Sequence, residues 1–253
     1  VDDITGQTPQ IDPSVSTPPP ALSVDRGQLP DAGAGSGGVI THSGGAAAGP
    51  HGAPQVGVGP MPRPWPTDPR YDPELLEHGD RRNVIDRYRY WSVEAIVAEL
   101  DRHRSRLHVA IQNWEHDFNI GSIVRTANAF NVAGVHILGR HRWNRRGAMV
   151  TDRYLHVHHH ESVADFLDWL ADHGVTPIGV DNLPGSVPLE ETELPRDCCL
   201  VFGSEGAGLT EEVVAGCQSL VAITQYGSTR SINAGAASAI AMYHWALRWA
   251  RAD

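Results

Sequence analysis

The chain has 253 residues, 41% of them hydrophobic, and a formal net charge of -10. That length suits one large domain or two small ones, and no apolar run approaches the roughly eighteen residues a membrane span needs. Residues 81–155 hold thirteen arginines against seven acids, whereas 1–80 hold three against ten and 156–253 four against thirteen. The overall acidity therefore does not exclude nucleic acid, because a basic segment between two acidic ones suits a local anionic partner.

Residues 1–70 are rich in Pro, Gly, Ala, Ser and Thr and lack hydrophobic periodicity. Such a segment buries too little apolar surface to offset chain entropy, so a disordered tail is expected. The acidic start, Val1-Asp2-Asp3-Ile4, has no apolar core behind it, and no secretion signal is expected. Cys198, Cys199 and Cys217 have no metal-ligand spacing and read as reduced thiols of a cytoplasmic protein.

Residues 71–106 read as a helical extension, with a short helix over Glu74–Arg87 and a second over Ser92–Ser105 capped by Ser92. From Leu107 strands and helices alternate. Strands are predicted at Leu107–Ile111, Val135–Leu138, Thr176–Val180, from Leu200, and at Leu220–Thr224. Helices are predicted at Asn119–Phe130, Ala164–His173, after Thr210, and at Ile232–Trp249. Leu183–Arg196 reads as a polar, Pro-rich connection. This alternation predicts an α/β fold, a parallel sheet flanked by helices on both faces.

His156, His158, His159 and His160 crowd one short stretch. Two of them sharing a strand face is compatible with a metal, but no carboxylate or Cys motif accompanies them, and no metal site is assigned. The arginines of 81–106, together with Arg140, Arg142, Arg145 and Arg146 around Trp143, are expected to grip RNA: guanidinium for phosphate, indole for a base. A plain solvated loop would look the same.

Three strand-to-helix junctions stand out. In the first, Asn119 and Arg125 are six residues apart, about one and two-thirds helical turns. In the second, Leu200–Thr210 reads LVFGSEGAGLT, where Gly203, Gly206 and Gly208 allow tight backbone turns and Glu205 sits inside the loop. Thr210 is positioned to cap the helix that follows. In the third, Ile223–Ser238 joins a strand to a helix whose first turns are built of small residues.

Together the three motifs resemble the SpoU (TrmH-type) RNA 2′-O-ribose methyltransferases of the SPOUT superfamily, over roughly residues 107–249. The order N-x5-R, FGSEGAGL, then G-x3-S-x-N carries the resemblance. The third motif departs from the family's usual Ile-Pro-Met at Ile223-Thr224-Gln225, and Ile232 and Ala234 stand where Leu and Val are frequent. The resemblance implies a catalytic domain at 107–253, a C-terminal trefoil knot, a homodimer, and S-adenosyl-L-methionine bent into the knot. It implies cofactor contacts at Gly203, Ile223 and Ile232, with Leu200, Ser204 and Gly208 close by. It also implies transfer of a methyl group to a ribose 2′-hydroxyl of tRNA or rRNA, with Arg125 at the reacting centre. Asn119, Glu205, Ser231 and Asn233 would orient it. A guanidinium stays protonated at neutral pH, so Arg125 suits phosphate binding and alkoxide stabilisation better than proton abstraction.

Three other readings compete. A dinucleotide oxidoreductase would explain a glycine loop, but Gly203–Gly208 does not match G-x-G-x-x-G. A metal hydrolase would rest on the histidines alone. A non-catalytic RNA-binding protein of the same fold is the more serious competitor, and the presence of every motif residue weighs against it.

Overall fold

The computed structural model describes residues 57–114, 119–140, 142–204 and 206–250, all within one compact unit, Ala46–Asp253. Seven strands form one wholly parallel sheet: β1 (His108–Asn113), β2 (Gly134–Gly139), β3 (Val157–His160), β4 (Thr176–Val180), β5 (Val187–Pro188), β6 (Cys198–Phe202) and β7 (Ser219–Ala222). Their order across the sheet is β3-β2-β1-β6-β4-β7-β5. The helices are α1 (Pro73–His78), α2 (Val93–Asp101), α3 (Ile120–Ala129), α4 (Val163–Asp172), α5 (Glu211–Gly216) and α6 (Ala234–Trp249).

The central strands are buried on both faces, which is why β1 and β6 read as near-continuous apolar runs. On one face Val109, Ile111, Leu200 and Phe202 pack with Ile120 and Val124 of α3 and Met242 and Trp245 of α6. On the other, Ala110, Cys199 and Val201 pack with Phe166 and Leu170 of α4 and Val213 of α5. Cys198 and Cys199 have no exposed surface and all three cysteines are free thiols. Burial pushes the Cys198 thiol up to about 12 and Cys199 well above its ordinary value.

Several elements depart from expectation. Helix α1 stops at His78 rather than Arg87, because Gly79 turns to a φ of +89° and its neighbour Asp80 is captured by other partners. The fully buried Asp80 carboxylate accepts bonds from the Arg82 side chain and from the backbone N–H groups of Arg82 and Tyr90. Residues 57–70, expected within the disordered tail, are folded back on this turn. Val58 pairs with Asp80, Met61 N–H donates to Leu76 O at 2.8 Å, and the Tyr90 hydroxyl donates to Gly59 O at 2.6 Å. The rest of that segment, 1–56, lies outside the described residues. Helix α2 ends at Asp101, four residues short. The Leu183–Arg196 connection contains the two-residue strand β5, which pairs with β7 where a Pro is tolerated at a sheet edge.

The histidines are more buried than a solvent-washed strand edge would make them. His136 of β2 stands at the centre of a row, with Nε2 at 3.0 Å from His108 Nδ1 and Nδ1 at 2.9 Å from His160 Nε2. His158 stacks on it, and Phe166 and Trp169 of α4 close the site from above. Burial pushes His108 down to about 4 and His136 to about 2, neighbouring imidazoles adding to the effect. Among the described residues no group of three or more His, Cys, Asp or Glu side chains is arranged to hold a metal ion. His156, outside the row, meets the Asp101 carboxylate at 2.9 Å.

An unfolded histidine titrates near 6.5, above both folded values, so the unfolded chain binds more protons below that pH. Stability contributed by this row is therefore complete above about pH 6.5 and drains as the pH falls toward 4. Urea unfolding is expected to lose on the order of 2 kcal/mol per buried histidine between pH 7.5 and 5. His136→Phe should lower stability at pH 7.5 and shallow that slope; an unchanged slope would refute the assignment.

Candidate active site

Parallel sheets present ligands at the carboxyl ends of their strands, and there the three motifs meet. Strand β6 ends at Phe202 and enters the glycine loop. Ser204 and Gly208 close that loop by two backbone bonds, Gly208 N–H to Ser204 O at 2.9 Å and Ser204 N–H to Gly208 O at 3.2 Å. Gly203 lies so close to the returning strand that a Cβ there would stand 2.1 Å from the Gly208 carbonyl carbon. Gly208 itself has a φ of +69°. Gly203 and Gly208 thus present bare peptide, because neither position has room for a side chain.

A cleft of about 440 Å³ opens over it, within the range of small-ligand sites. Gly203, Ser204, Gly208, Ile223, Ser231, Ile232 and Asn233 all border this cleft, as does Gln225. Leu200 does not. It sits in mid-strand with no exposed surface, paired in register with Ile178 and Val109, so it supports the cleft only through the core. Glu205 lies outside the described residues.

The first motif joins the third through one contact. Asn233 Nδ2 donates to Asn119 Oδ1 at 2.8 Å, while Asn233 Oδ1 accepts from Gly235 N–H and Ala236 N–H and so caps α6. The small residues of α6 allow this approach: a Cβ on Gly235 would stand 3.2 Å from Ser122 Cβ on α3. Arg125, one turn beyond Ser122, is exposed and has no ion-pair partner among the described residues. The same α3 turn seats the arginine loop, since a Cβ on Gly121 would meet Gly147 Cα at 2.7 Å.

Asp181, just past β4, carries no motif signature, yet it braces the loop. Its Oδ2 accepts from Leu209 N–H at 2.9 Å and lies where any Cβ on Gly208 would have to go, 2.5 Å away. Asn182 beside it donates its side-chain amide to Arg230 O, tying the third motif's loop to the same strand end. Gln112, buried at the end of β1, accepts from Thr210 N–H at 3.0 Å and donates to its hydroxyl at 2.9 Å. Thr210 therefore begins α5 by position, but its hydroxyl serves Gln112 rather than capping the helix. Alternating strand-end polar residues were the only sequence signal for Asp181 and Gln112.

The arginines divide into two sets. Within 81–106, Arg82, Arg87, Arg89, Arg102, Arg104 and Arg106 are each ion-paired with a carboxylate. In the 140–146 loop, Arg140, Arg142 and Arg146 are exposed with no ion-pair partner among the described residues, and Arg145 reaches Asp152 at 3.3 Å. Trp143 is half-buried against the core, with the Arg145 guanidinium 5.5 Å from its ring centre. The fully presented aromatic is instead Tyr226, 93% exposed on the loop between Gln225 and Ser231.

The model of the SpoU rRNA Methylase family matches residues 106–243. The chain belongs to this family. Two curated members give its neighbourhood. The tRNA (guanosine(18)-2'-O)-methyltransferase of Escherichia coli (strain K12) is 26% identical over 151 residues, 58% of this chain and 66% of that protein. The 23S rRNA (guanosine-2'-O-)-methyltransferase of Coxiella burnetii is 31% identical over 133 residues, 49% of this chain and 52% of that protein. The chain thus spans about two thirds or less of the length of these curated relatives. The fold is shared with the SpoU methyltransferase of Streptomyces viridochromogenes, solved in complex with AdoMet, at a TM-score of 0.52 and 24% identity. That match covers 57% of this chain and 58% of the other. The match to the SpoU family model begins at Arg106, so it leaves out residues 57–105 and the carboxylate-paired arginines within them.

Removing the Asp181 carboxylate leaves the Leu209 amide without its acceptor, a loss of about 1–3 kcal/mol. Asp181→Ala is expected to speed hydrogen exchange at Leu209 and to lower the unfolding midpoint; unaltered exchange there would count against the brace.

Proposed function

We propose that this chain is an S-adenosyl-L-methionine-dependent RNA methyltransferase acting on a ribose 2′-hydroxyl of tRNA or rRNA. The observation that carries the reading is the Asn233–Asn119 bond. It sets Arg125's helix against the mouth of a cleft floored by bare peptide. The cleft fits the cofactor in kind: a flat glycine-lined floor that a Cβ would fill, apolar walls for a purine, and an unpaired buried acceptor. When bound, the cofactor would supply a sulfonium methyl for displacement by the ribose oxygen, leaving as a thioether.

Gly203, Ser204 and Gly208 would hold the cofactor through backbone groups, and Ile223 and Ile232 would clasp it. Arg125 would bind a phosphate beside the target ribose and stabilise the charge that develops on the 2′-oxygen as its proton departs. Asn119 and Asn233 hold the two helices in register for that task. Ser231 and Glu205 are assigned to orienting the ribose and the guanidinium. Arg140, Arg142, Arg145 and Arg146 would grip the RNA backbone, with Tyr226 joining Trp143 as a stacking surface.

The division into a tail, a helical extension at 71–106 and a catalytic domain at 107–253 is part of the same reading, as are the C-terminal knot and a cytoplasmic setting. Support for the knot comes from the chain path: it leaves β4 for the far edge at β5, returns to mid-sheet as β6, and ends with α6 beside α3. Support for a homodimer comes from α6, where Ile240, Tyr243 and Leu247 form an outward apolar stripe, 44%, 55% and 46% exposed.

Methyl transfer from labelled cofactor to RNA tests the reading directly. Arg125→Ala should abolish transfer and leave cofactor affinity within about twofold. Tyr226→Ala should weaken RNA binding roughly tenfold, as loss of one stacked base implies. RNA affinity should fall steeply with added salt. Full activity in the Arg125 variant, or a flat salt response, would overturn the corresponding assignment.

A further inference from the structure

Gln225 differs from the other residues bordering the cleft. Its Oε1 is buried, and among the described residues none donates a hydrogen bond to it. An unpaired buried amide oxygen costs about 1–3 kcal/mol, and native interiors rarely keep one without a ligand or water to satisfy it. The family resemblance places methionine at this position, a side chain of similar reach with no amide. The buried acceptor is therefore a property of this chain and not of the motif.

The donors that could reach such an oxygen are few. A ligand ammonium entering the cleft would call for a carboxylate, and the Asp181 carboxylate is already engaged by Leu209 N–H and Asn182 N–H. A ribose hydroxyl both donates and accepts, so a lone acceptor would not select it. The exocyclic amine of adenine only donates, and its flat ring suits walls that include Leu183, Phe202, Ile223 and Ile232.

We propose that Gln225 Oε1 accepts a hydrogen bond from the 6-amino group of the cofactor's adenine, making Gln225 a residue that determines purine specificity. This rests on the reading of the cleft as an S-adenosylmethionine site. It makes the cleft's affinity depend on an amide acceptor where the family's usual residue offers only a weakly accepting thioether.

Calorimetric titration of the full chain with S-adenosylhomocysteine and with S-inosylhomocysteine, whose 6-position is an oxo group, tests it without reference to activity. The wild type should prefer the adenine ligand by about tenfold or more. Gln225→Met should bring that preference below about threefold, with no loss of thermal stability in the free protein, since an unpaired amide is removed. Gln225→Glu, which keeps the acceptor, should retain the preference. An unchanged ratio in Gln225→Met, or equal weakening of both ligands, would overturn the proposal while leaving the cofactor reading intact. A wild type that takes up neither ligand would instead overturn the cofactor reading and the proposal with it.

Discussion

The cleft depends on a close contact between two stretches of peptide. Gly203 leaves the central strand and Gly208 returns against it at a separation that no Cβ could occupy. Every other feature of the site is arranged around that contact. Asp181 fills the space on the far side of Gly208, Gln112 holds the start of α5 immediately after it, and the third motif folds across its open face. Each of these partners sits at the carboxyl end of a different strand, so the parallel sheet determines where they converge.

Charge is arranged with a similar economy. The arginine-rich middle of the sequence is not one uniform basic surface. Upstream of β1, Arg82, Arg87, Arg89, Arg102, Arg104 and Arg106 are paired with nearby carboxylates and tie the extension to itself and to the rest of the fold. Arg104, for example, donates to Tyr154 O at 2.9 Å as well as pairing with Asp101. After β2, Arg140, Arg142 and Arg146 stand without an ion-pair partner among the described residues, around a turn seated on α3, and only Arg145 is paired, with Asp152. The set of unpaired guanidinium groups is therefore smaller than the sequence count suggests, and the loop that carries it packs against the helix that bears Arg125.

Much of this was legible in the sequence. Alternating strands and helices gave the parallel sheet, and the glycine spacing located the cleft, because both are local patterns with a direct steric cause. What could not be read was set by partners distant in sequence. Thr210 looked like a helix cap until Gln112, ninety-eight positions earlier, took its hydroxyl. Residues 57–70 looked unstructured because their partners are the backbone of residues 76 and 80 and the Tyr90 hydroxyl rather than an apolar face of their own. Leu200 belonged to the right strand, but its side chain is enclosed in the core and does not border the cleft. The enclosure of the histidines could not be read either, because the covering Phe166 and Trp169 come from a helix whose side of the sheet periodicity does not specify.

The paired thiols of β6 have a consequence for how the molecule can be watched. Cys198 and Cys199 occupy the middle of the sheet, are wholly enclosed, and are held in the protonated, unreactive form. They face opposite sides of the sheet, so an alkylating reagent can reach Cys198 only when the α3 and α6 layer lifts away, and Cys199 only when the α4 and α5 layer does. Because β6 also carries the glycine loop, the rates at which these two sulfurs become modifiable report, one for each face, how often the layers that support the cleft open.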